Sequence, residues 1–132
     1  MERLHIHHTA GAGIRRLKGD VEGVVIRRCH IHDTGGPGVR IDATGNCVVE
    51  DCTIEDIGLI HTSALALSVC GEGTLIRHNL VRRCPYTAIH SAGARGIVIE
   101  CNRMEDYMQQ LNDGAAIYVF GGKGTVYRGN AA

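Results

Sequence analysis

The sequence predicts an all-β protein in which short parallel strands stack into a solenoid. Five segments superimpose on one another, and consecutive segments begin 23, 27, 23 and 28 positions apart. They are IRRCHIHD from Ile26, VEDCTIED from Val49, IRHNLVRR from Ile76, IECNRMED from Ile99 and YRGN from Tyr127. A repeat of roughly 20 to 30 residues with one strand-like unit is the signature of a solenoid. The second residue of each segment alternates in sign, which predicts a column of side chains about 4.8 Å apart. This column is Arg27, Glu50, Arg77, Glu100 and Arg128.

A second set of segments supports the same repeat. After each first segment comes a small residue and then an alternation of apolar and polar residues, as in a strand with one face on a core. The small residues are Gly13, Gly38, Ala64, Ala88 and Ala116. They predict an inward column of Ile14, Val39, Leu65, Ile89 and Ile117, and an outward column of Arg15, Arg40, Ala66, His90 and Tyr118. Each coil then ends in a glycine-containing turn, because glycine readily adopts positive φ. The turns are LKGDVEG, ATGN, CGEG, AGARG and GGKG.

Two further apolar columns are predicted to line the core. They are Ile6, Ile31, Ile54, Val81 and Met104, and Ile26, Val49, Ile76, Ile99 and Tyr127. Another apolar column precedes the second of these by one residue, although strict alternation would turn it outward. It is Val25, Val48, Leu75, Val98 and Val126. The sequence leaves open whether this face is covered or the strand bends there.

A column of cysteine and asparagine is predicted where each strand turns a corner. It is Cys29, Cys52, Asn79, Asn102 and Asn130. Stacked asparagines inside a turn can bond to one another and to backbone groups that the corner leaves unpaired. The chain has six cysteines, but they do not form a spaced disulfide framework. Cys47 and Cys52 have no second pair that would complete a zinc ribbon. We therefore expect buried free thiols.

Composition and charge fit one narrow, stacked domain. The chain has 132 residues, 18 glycines, no tryptophan and one phenylalanine, which suits a core of aliphatic side chains. The formal net charge is zero with histidine neutral, so we expect no nucleic-acid partner. No apolar run has the length of a transmembrane helix, so we expect no membrane partner. No cleavable signal peptide is visible after Met1.

Both ends of the sequence read as cut coils. Residues 2–14 resemble the second half of a coil, and the chain stops shortly after Tyr127 begins a new one. Solenoids need caps, because an open end exposes core and unpaired strand edges. We expect residues 1–132 to be a single, partial β-helix domain whose remaining coils or caps belong to a longer chain or to another chain. Expressed alone, such a piece is expected to be poorly soluble or to associate end to end.

Four histidines are predicted to project outward from adjacent coils, because His5 overlays His30 and His7 overlays His32. Imidazoles on a grid of about 5 by 7 Å could bind a transition metal. The alternative is that they are surface residues beside a ladder in which arginines are flanked by carboxylates. That ladder is Glu55, Arg82 and Glu105 and, one residue on, Asp56, Arg83 and Asp106. We expect the second interpretation, and therefore neither a metal nor another cofactor.

Chemistry is expected where the repeat is broken, because loops on a rigid scaffold carry function. The longer coils contain insertions at one corner, residues 58–64 and 107–115, with the short corner 84–88 between them. The groove that they would enclose offers an acid, two imidazoles and phenol rings, which suit sugar binding and acid–base work. Its residues are His61, Tyr86, His90, Asp113 and Tyr118. Taken singly, an Asp-Gly pair could merely cap a turn, and a strand histidine could be an ordinary exposed residue.

IRHNLVRRCPYTAIHSAG from Ile76 and IECNRMEDYMQQLNDGAAIYVFGG from Ile99 resemble the repeats of secreted, carbohydrate-active β-helix proteins. The similarity covers residues 24–130 and is strongest to large bacterial β-helix glycoside hydrolases and their uncharacterised relatives. It implies a right-handed, single-stranded parallel β-helix of about five coils, similar to that of pectate lyases. It also implies action on a plant or microbial polysaccharide or oligosaccharide, and an extracellular or periplasmic location.

The segment NDGAAIY matches the family's loop-to-strand position, which makes Asp113 the predicted catalytic acid or base. The second carboxylate is predicted to be Glu105, Asp106 or a residue beyond Ala132. Substrate-binding residues are predicted to be His61, Tyr86, His90, Tyr118 and Arg40.

Three functions stay open at this point. A glycoside hydrolase would use two carboxylates. A uronate lyase or epimerase would need a base and cations at the sugar carboxylate, which Arg15 and Arg40 could supply. A non-catalytic adhesion or scaffold protein would need neither. The composition of the groove favours the first.

Overall fold

The computed structural model of the protein describes residues 1–16, 19, 21–92 and 95–132. These residues form fifteen short strands, as predicted for an all-β chain. In chain order, β1 to β15 are His5–Thr9, Ile14–Arg16, Val25–Arg27, His30–Thr34, Val39–Gly45, Val48–Glu50, Thr53–Ile57, Leu67–Glu72, Leu75–Arg77, Leu80–Arg82, Ile89–Ala92, Val98–Glu100, Arg103–Glu105, Ile117–Phe120 and Val126–Arg128.

The strands form three parallel sheets of five strands each, wound as a solenoid. Sheet A contains β3, β6, β9, β12 and β15; sheet B contains β1, β4, β7, β10 and β13; sheet C contains β2, β5, β8, β11 and β14. The chain visits A, B and C in turn, and each such circuit is one coil. Coil 1 contributes β1 and β2, coils 2 to 5 contribute three strands each, and β15 follows coil 5. The predicted parallel solenoid is confirmed.

The alternating charges of sheet A form one column, as predicted. Arg27, Glu50, Arg77, Glu100 and Arg128 are register partners on successive strands. Arg77 Nη2 lies 2.7 Å from Glu50 Oε2, Arg27 Nε lies 3.3 Å from Glu50 Oε1, and Arg128 pairs with Glu100. The hydrogen bond from Arg77 lowers the pKa of Glu50. Like charges are therefore never adjacent in this column. Adjacent like charges would destabilise the stack.

One predicted register was wrong, in coil 3 of sheet C. Val39 pairs with Leu67 rather than with Leu65, and Arg40 pairs with Ser68 rather than with Ala66. The local sequence reads Ala-Leu-Ala-Leu, and a slip of two residues keeps every side chain on the same face of a strand. The alternation pattern therefore could not separate the two registers. The insertion in coil 3 runs to Ala66, two residues further than predicted.

The core is a stack of aliphatic side chains from all three sheets. Its fully buried members include Ile26, Val49, Ile76 and Ile99 of sheet A, Ile31, Ile54 and Val81 of sheet B, and Val39, Leu67 and Ile89 of sheet C. Tyr127, at the end of the sheet A column, is 52% exposed. Because each aliphatic residue packs on its register partners, one column supplies a continuous apolar strip along the helix axis.

The unassigned apolar column of sheet A faces outward. Val25, Val48, Leu75 and Val98 are partly exposed, whereas Cys47 and Val49, which flank Val48, are buried. The column is therefore a half-exposed apolar stripe on the outside of the solenoid.

The asparagine column forms a buried ladder at the corner between sheets A and B. The backbone N–H of Cys52 donates to Asn79 Oδ1 over 3.0 Å, and Asn79 Nδ2 donates to the carbonyl of Val49 over 2.9 Å. The backbone N–H and the Nδ2 of Asn79 both donate to Asn102 Oδ1. Asn102 repeats this pattern with Asn130. Each side chain therefore replaces the backbone partners that a strand loses where it turns.

The two cysteines of this column continue the ladder with sulfur. Cys52 Sγ accepts from the backbone N–H of Cys29 over 3.5 Å and donates to the carbonyl of Glu50 over 3.2 Å. All six cysteines are free, as predicted, and four of them are buried, whereas Cys70 is partly exposed and Cys101 is exposed. Burial raises the pKa of Cys52 to about 11, so this thiol stays protonated and unreactive.

Two corners of the coil depend on residues with left-handed backbone. After sheet A, φ lies between 53° and 61° at Arg28, Asp51, His78, Cys101 and Gly129. At the ends of the sheet B strands, φ lies between 48° and 54° at His8, Asp33 and Asp56, the second-last residues of β1, β4 and β7, and at Arg83 and Asp106, which directly follow β10 and β13. Most of these residues are not glycine, so sequence reasoning did not assign them this conformation.

The third corner, between sheets C and A, uses glycine largely as predicted. Positive φ occurs at Gly23, Gly73, Gly96 and Gly124, but in the ATGN turn it occurs at Asn46 rather than at Gly45. Asparagine is the residue that best tolerates this conformation after glycine. Parts of two predicted turns, residues 17, 18 and 20 and residues 93 and 94, lie outside the described residues.

The ladder predicts a large effect for Asn79→Ala. This change removes the acceptor of Cys52 N–H and the donor to the Val49 carbonyl inside the fold. Each buried group left without a partner costs about 1–3 kcal/mol, so we expect a loss of about 3 kcal/mol in the free energy of unfolding. Urea denaturation would measure it.

Asn79→Cys is the matched control, because the same column already holds Cys29 and Cys52. It should cost clearly less than alanine, since sulfur can still accept from a backbone N–H. Equal stability of the alanine variant and the parent would show that the ladder is not a source of stability.

Candidate functional site

The outer face of sheet C carries a single file of polar and aromatic side chains. In register, the file is Arg15, Arg40, Ser68, His90 and Tyr118, one residue from each coil. Two neighbouring pairs are in contact: Ser68 Oγ lies 3.1 Å from His90 Nδ1, and the rings of His90 and Tyr118 stack with centroids 6.1 Å apart. We call this column the sheet C file. It changes from cationic at coil 1 to aromatic at coil 5.

Two long loops stand beside this file, both at the corner between sheets B and C. They are residues 58–66 in coil 3 and residues 106–116 in coil 5, two coils apart as predicted. Each loop begins by hydrogen bonding back onto the preceding corner. His61 N–H donates to Gly35 O over 2.8 Å, and Met108 N–H donates to Tyr86 O over 2.9 Å. Loop 58–66 is thus held against coil 2, and loop 106–116 against coil 4.

His61 belongs to loop 58–66 and lies next to the two arginines of the sheet C file, Arg15 and Arg40. A surface pocket of about 250 Å³ is lined by Pro37, Arg40, His61, Ser63, Ala64, Leu65 and Ser68. A second pocket of about 150 Å³ shares Pro37, Arg40 and His61 and adds Arg15. The structure therefore brings His61 together with two arginines, a combination that suits a small anionic group.

Asp113, in loop 106–116, lies beside Tyr86 of coil 4. Tyr86 Oη donates to the Asp113 carbonyl over 3.5 Å, and Ala115 N–H donates to Thr87 Oγ1. The next residue, Gly114, packs so closely on coil 4 that an added Cβ would lie 2.5 Å from Thr87 Oγ1. Glycine is therefore required there, and the Asp113–Gly114 pair follows from close packing. The Asp113 side chain is exposed.

Two candidate site residues have shifted pKa values: His90, which belongs to the file, and Tyr86, which lies outside it. Burial lowers the pKa of His90, and the Arg40 guanidinium lowers it further, while Asp42 acts in the opposite direction. Burial raises the pKa of Tyr86, and the Asp113 carboxylate raises it further. A neutral imidazole and a protonated phenol both donate and accept hydrogen bonds, as the binding of sugar hydroxyls requires.

Glu105 and Asp106, the other predicted carboxylates, lie away from the file. Glu105 ends strand β13 of sheet B, next to Arg82 in register and 2.5 Å from Arg103 Nε. Asp106 follows at the corner, with φ of 48°, and begins loop 106–116. Their assignment as a second catalytic acid stays a prediction.

Sheet B carries its own cluster of charged and imidazole groups. Glu55 is 8% exposed and accepts from Arg82 Nε at 2.5 Å, from Arg83 Nη2 at 2.8 Å and from His30 Nε2 at 2.7 Å. Burial alone would raise the pKa of this carboxyl, but these hydrogen bonds outweigh burial and hold it at about 2. Arg83 also donates to both carboxylate oxygens of Asp56, from Nε to Oδ1 and from Nη2 to Oδ2, over 2.7 Å each.

The four histidines of coils 1 and 2 lie together, as the overlay predicted. His5 pairs with His30, and His7 pairs with His32. The ring of His5 stacks on that of His30 at 4.9 Å, and the ring of His7 stacks on that of His32 at 5.2 Å. His8 adjoins this group, with its Nδ1 2.6 Å from that of His7.

Residues 1–67 match the protein-family model described as the right-handed beta helix region. The chain belongs to this family. The match covers coils 1 and 2 and most of coil 3, and it agrees with the parallel sheets and the repeated corners. No curated protein matches the chain, and no solved structure does. The part of the chain that the structure describes holds no apolar helix of membrane-spanning length.

Sequence reasoning missed Ser68 as a member of the file, because it assigned Ala66 to that position. The Ser68 hydroxyl, a polar group that could pair with His90, was the available signal. The two-residue error in the predicted register of coil 3 concealed it. Sequence reasoning also placed Arg15 in the outward column of sheet C, but it did not assign Arg15 to a pocket with His61. Arg15 and His61 become neighbours only because loop 58–66 bonds back onto coil 2.

The depressed pKa of Glu55 predicts acid-sensitive stability. The folded-state pKa of about 2 lies below the ordinary value of 4.5, so this carboxylate stabilises the fold above about pH 5. The contribution is lost as the pH falls towards 2, and it amounts to at most about 3 kcal/mol. Glu55→Gln should therefore lower stability at neutral pH and flatten the fall in melting temperature between pH 5 and 2.

Glu105→Gln is the control for this experiment, since Glu105 is a more exposed acid in the same column with one close arginine. It should leave the pH dependence nearly as in the parent. If Glu55→Gln and the parent lose stability equally on acidification, the ion cluster around Glu55 is energetically neutral.

Proposed function

We propose that this β-helix binds an acidic polysaccharide along the sheet C file and serves its cleavage, outside the cytoplasm. The observation that carries the proposal is the file itself. Five outward side chains at strand spacing, about 4.8 Å, form a straight track that runs beside two loops. A linear, repeating ligand can follow such a track, with successive sugar rings along successive coils. Loops on a rigid scaffold are where binding residues concentrate.

The cationic part of the track supports an anionic sugar. Arg15, Arg40 and His61 line adjoining pockets, and Asp42 Oδ2 lies 3.7 Å from Arg40 Nε. Guanidinium groups bind carboxylates with two parallel hydrogen bonds. The aromatic part complements this, because Tyr118 is 42% exposed and can pack against the apolar face of a sugar ring.

Hydrolysis of a glycosidic bond is the first candidate reaction. Asp113 stands in loop 106–116, shortly before strand β14, and beside Tyr86. In that role it would protonate the leaving oxygen or activate water, while a second carboxylate completes the pair. Glu105, Asp106 or an acid on a further coil would supply that carboxylate.

Lyase or epimerase chemistry on a uronic acid is the second candidate, and the two arginines favour it. Removal of the proton next to a sugar carboxylate places negative charge on that group. Arg15 and Arg40 would stabilise this charge as it develops. His61, which lines the same pockets as the arginines, would act as the base, or His90, which lies two coils beyond Arg40 in the file.

The first test concerns binding. The double variant Arg15→Gln, Arg40→Gln should bind a polygalacturonate oligomer at least about tenfold more weakly, since an ionic hydrogen bond contributes about 1.5–3 kcal/mol. Isothermal titration calorimetry would measure the affinity. Arg128→Gln removes one positive charge from sheet A, with a side chain 68% exposed, and should leave affinity unchanged.

A parent protein that binds neither acidic nor neutral oligosaccharides would contradict a carbohydrate role and favour a scaffold. Equal binding of acidic and neutral oligosaccharides would contradict only the role of the arginines.

The second test concerns catalysis. In a form of the protein that cleaves the bound polysaccharide, Asp113→Asn should lower kcat by about 10²–10⁴-fold, because it removes the ionisable group and keeps the shape. Affinity and melting temperature should stay at parental values. Asn112→Ala, in the same loop, should retain the rate.

The products separate the two reactions, since a lyase leaves an unsaturated sugar that absorbs ultraviolet light and a hydrolase does not. A parental rate in Asp113→Asn would reduce Asp113 to a turn residue.

A further inference from the structure

We propose that His5, His30 and His32 form a binding site for a divalent late transition metal, for which Zn²⁺ is the test ion. The site lies on the outer face of sheet B, and the sheet C file contributes nothing to it. Sequence reasoning favoured surface residues without a metal at this place. The arrangement of the ring nitrogens argues for the metal.

The scaffold fixes where these rings lie. His5 and His30 are register partners on β1 and β4, and His32 lies two residues further along β4 on the same face. The three ring centroids lie between 4.6 and 4.9 Å from one another. Because parallel pairing sets these spacings, most of the ordering that a metal requires is already present in the fold.

The candidate donor atoms lie close to one another. One ligand atom from each of the three histidines lies within 4.8 Å of the others. His5 Nε2 lies only 2.6 Å from His32 Nε2, so two ring nitrogens face each other directly. A tetrahedral Zn²⁺ with Zn–N distances of about 2.0–2.1 Å needs the two atoms about 3.3 Å apart. A small rotation of the exposed His5 ring meets this requirement.

Carboxylates behind two of the rings complete the design. His32 Nδ1 lies 2.7 Å from Asp33 Oδ2, which leaves Nε2 as the atom that faces His5. His30 Nε2 lies 2.7 Å from Glu55 Oε1, and Glu55 is fixed by two arginines. Metal-binding histidines usually donate their second N–H to a carboxylate, which fixes the tautomer and orients the ring.

The donor type decides the class of metal. Imidazole nitrogen suits Zn²⁺, Cu²⁺ and Ni²⁺, whereas Mg²⁺ and Ca²⁺ prefer oxygen ligands. The nearby carboxylates already have partners: Asp33 binds the His32 ring, and Glu55 binds the His30 ring and two arginines. Three imidazoles leave a fourth position for water or for His7, whose ring stacks on that of His32. A bound ion would tie strand β1 to β4 across two coils.

The test is titration of metal-free protein with Zn²⁺ near neutral pH, followed by calorimetry. We expect one ion per chain and a higher melting temperature, since an ion that binds only the folded state stabilises it. His5→Ala and His32→Ala should each weaken the affinity at least about tenfold. Asp33→Asn should weaken it about tenfold, because loss of such a carboxylate partner costs about 10–100-fold in metal affinity.

Two controls separate this site from other ligands. His78→Asn changes a histidine on another face, near Asp51, at a position where asparagine tolerates the backbone. Cys101→Asn removes the exposed thiol. Both should bind Zn²⁺ as the parent does. The proposal is overturned if the parent binds no stoichiometric ion, if His32→Ala binds it as well as the parent, or if Cys101→Asn abolishes binding.

Discussion

The hydrogen bonding between successive coils is the constraint on which the rest of this structure depends. Every strand pairs in parallel with the strand one coil earlier or later, so each coil must repeat the backbone path of its neighbours. Where the path turns, Asn79 and Asn102 supply the hydrogen bonds that paired strands no longer provide. A residue can therefore be added only at a corner, outside the paired segments. Both insertions occur at the corner between sheets B and C, and this restriction created the candidate site.

The same repetition gives each face of the solenoid one chemical character. A position that recurs in every coil becomes a column, and neighbours in a column are close enough to attract or repel. On sheet A the column alternates in sign and neutralises itself. On sheet B the arginines of coil 4 close onto the acids of coil 3, notably Arg83 onto Glu55 and Asp56. On sheet C, Arg15 and Arg40 are adjacent like charges, which makes this column the exception and the best place for an anionic ligand.

The two proposed sites use different sheets and can therefore be judged separately. The sheet C file lies beside loops 58–66 and 106–116, and its two ends, Arg15 and Tyr118, are exposed. The histidine site depends on strands β1 and β4, which carry no insertion, and its groups converge on a single ion. Glu55 connects sheet B internally, since it holds His30 and the arginines of coil 4 together. Family membership establishes the scaffold, whereas function rests on the particular residues of each site.

The sequence alone determined the repeat, because side chains in stacked coils must match their neighbours. Sign alternation from Arg27 to Arg128 and the Cys29-to-Asn130 column therefore predicted the registers of sheets A and B. Alternation could not determine the register at Leu65 and Leu67, since a shift of two residues leaves the inward face unchanged. Only the tertiary structure decided that Ser68 joins His90, that His61 reaches Arg15, and that the nitrogens of His5 and His32 face each other. These contacts depend on loop hydrogen bonds and side-chain torsions between coils, and no spacing along the chain encodes them.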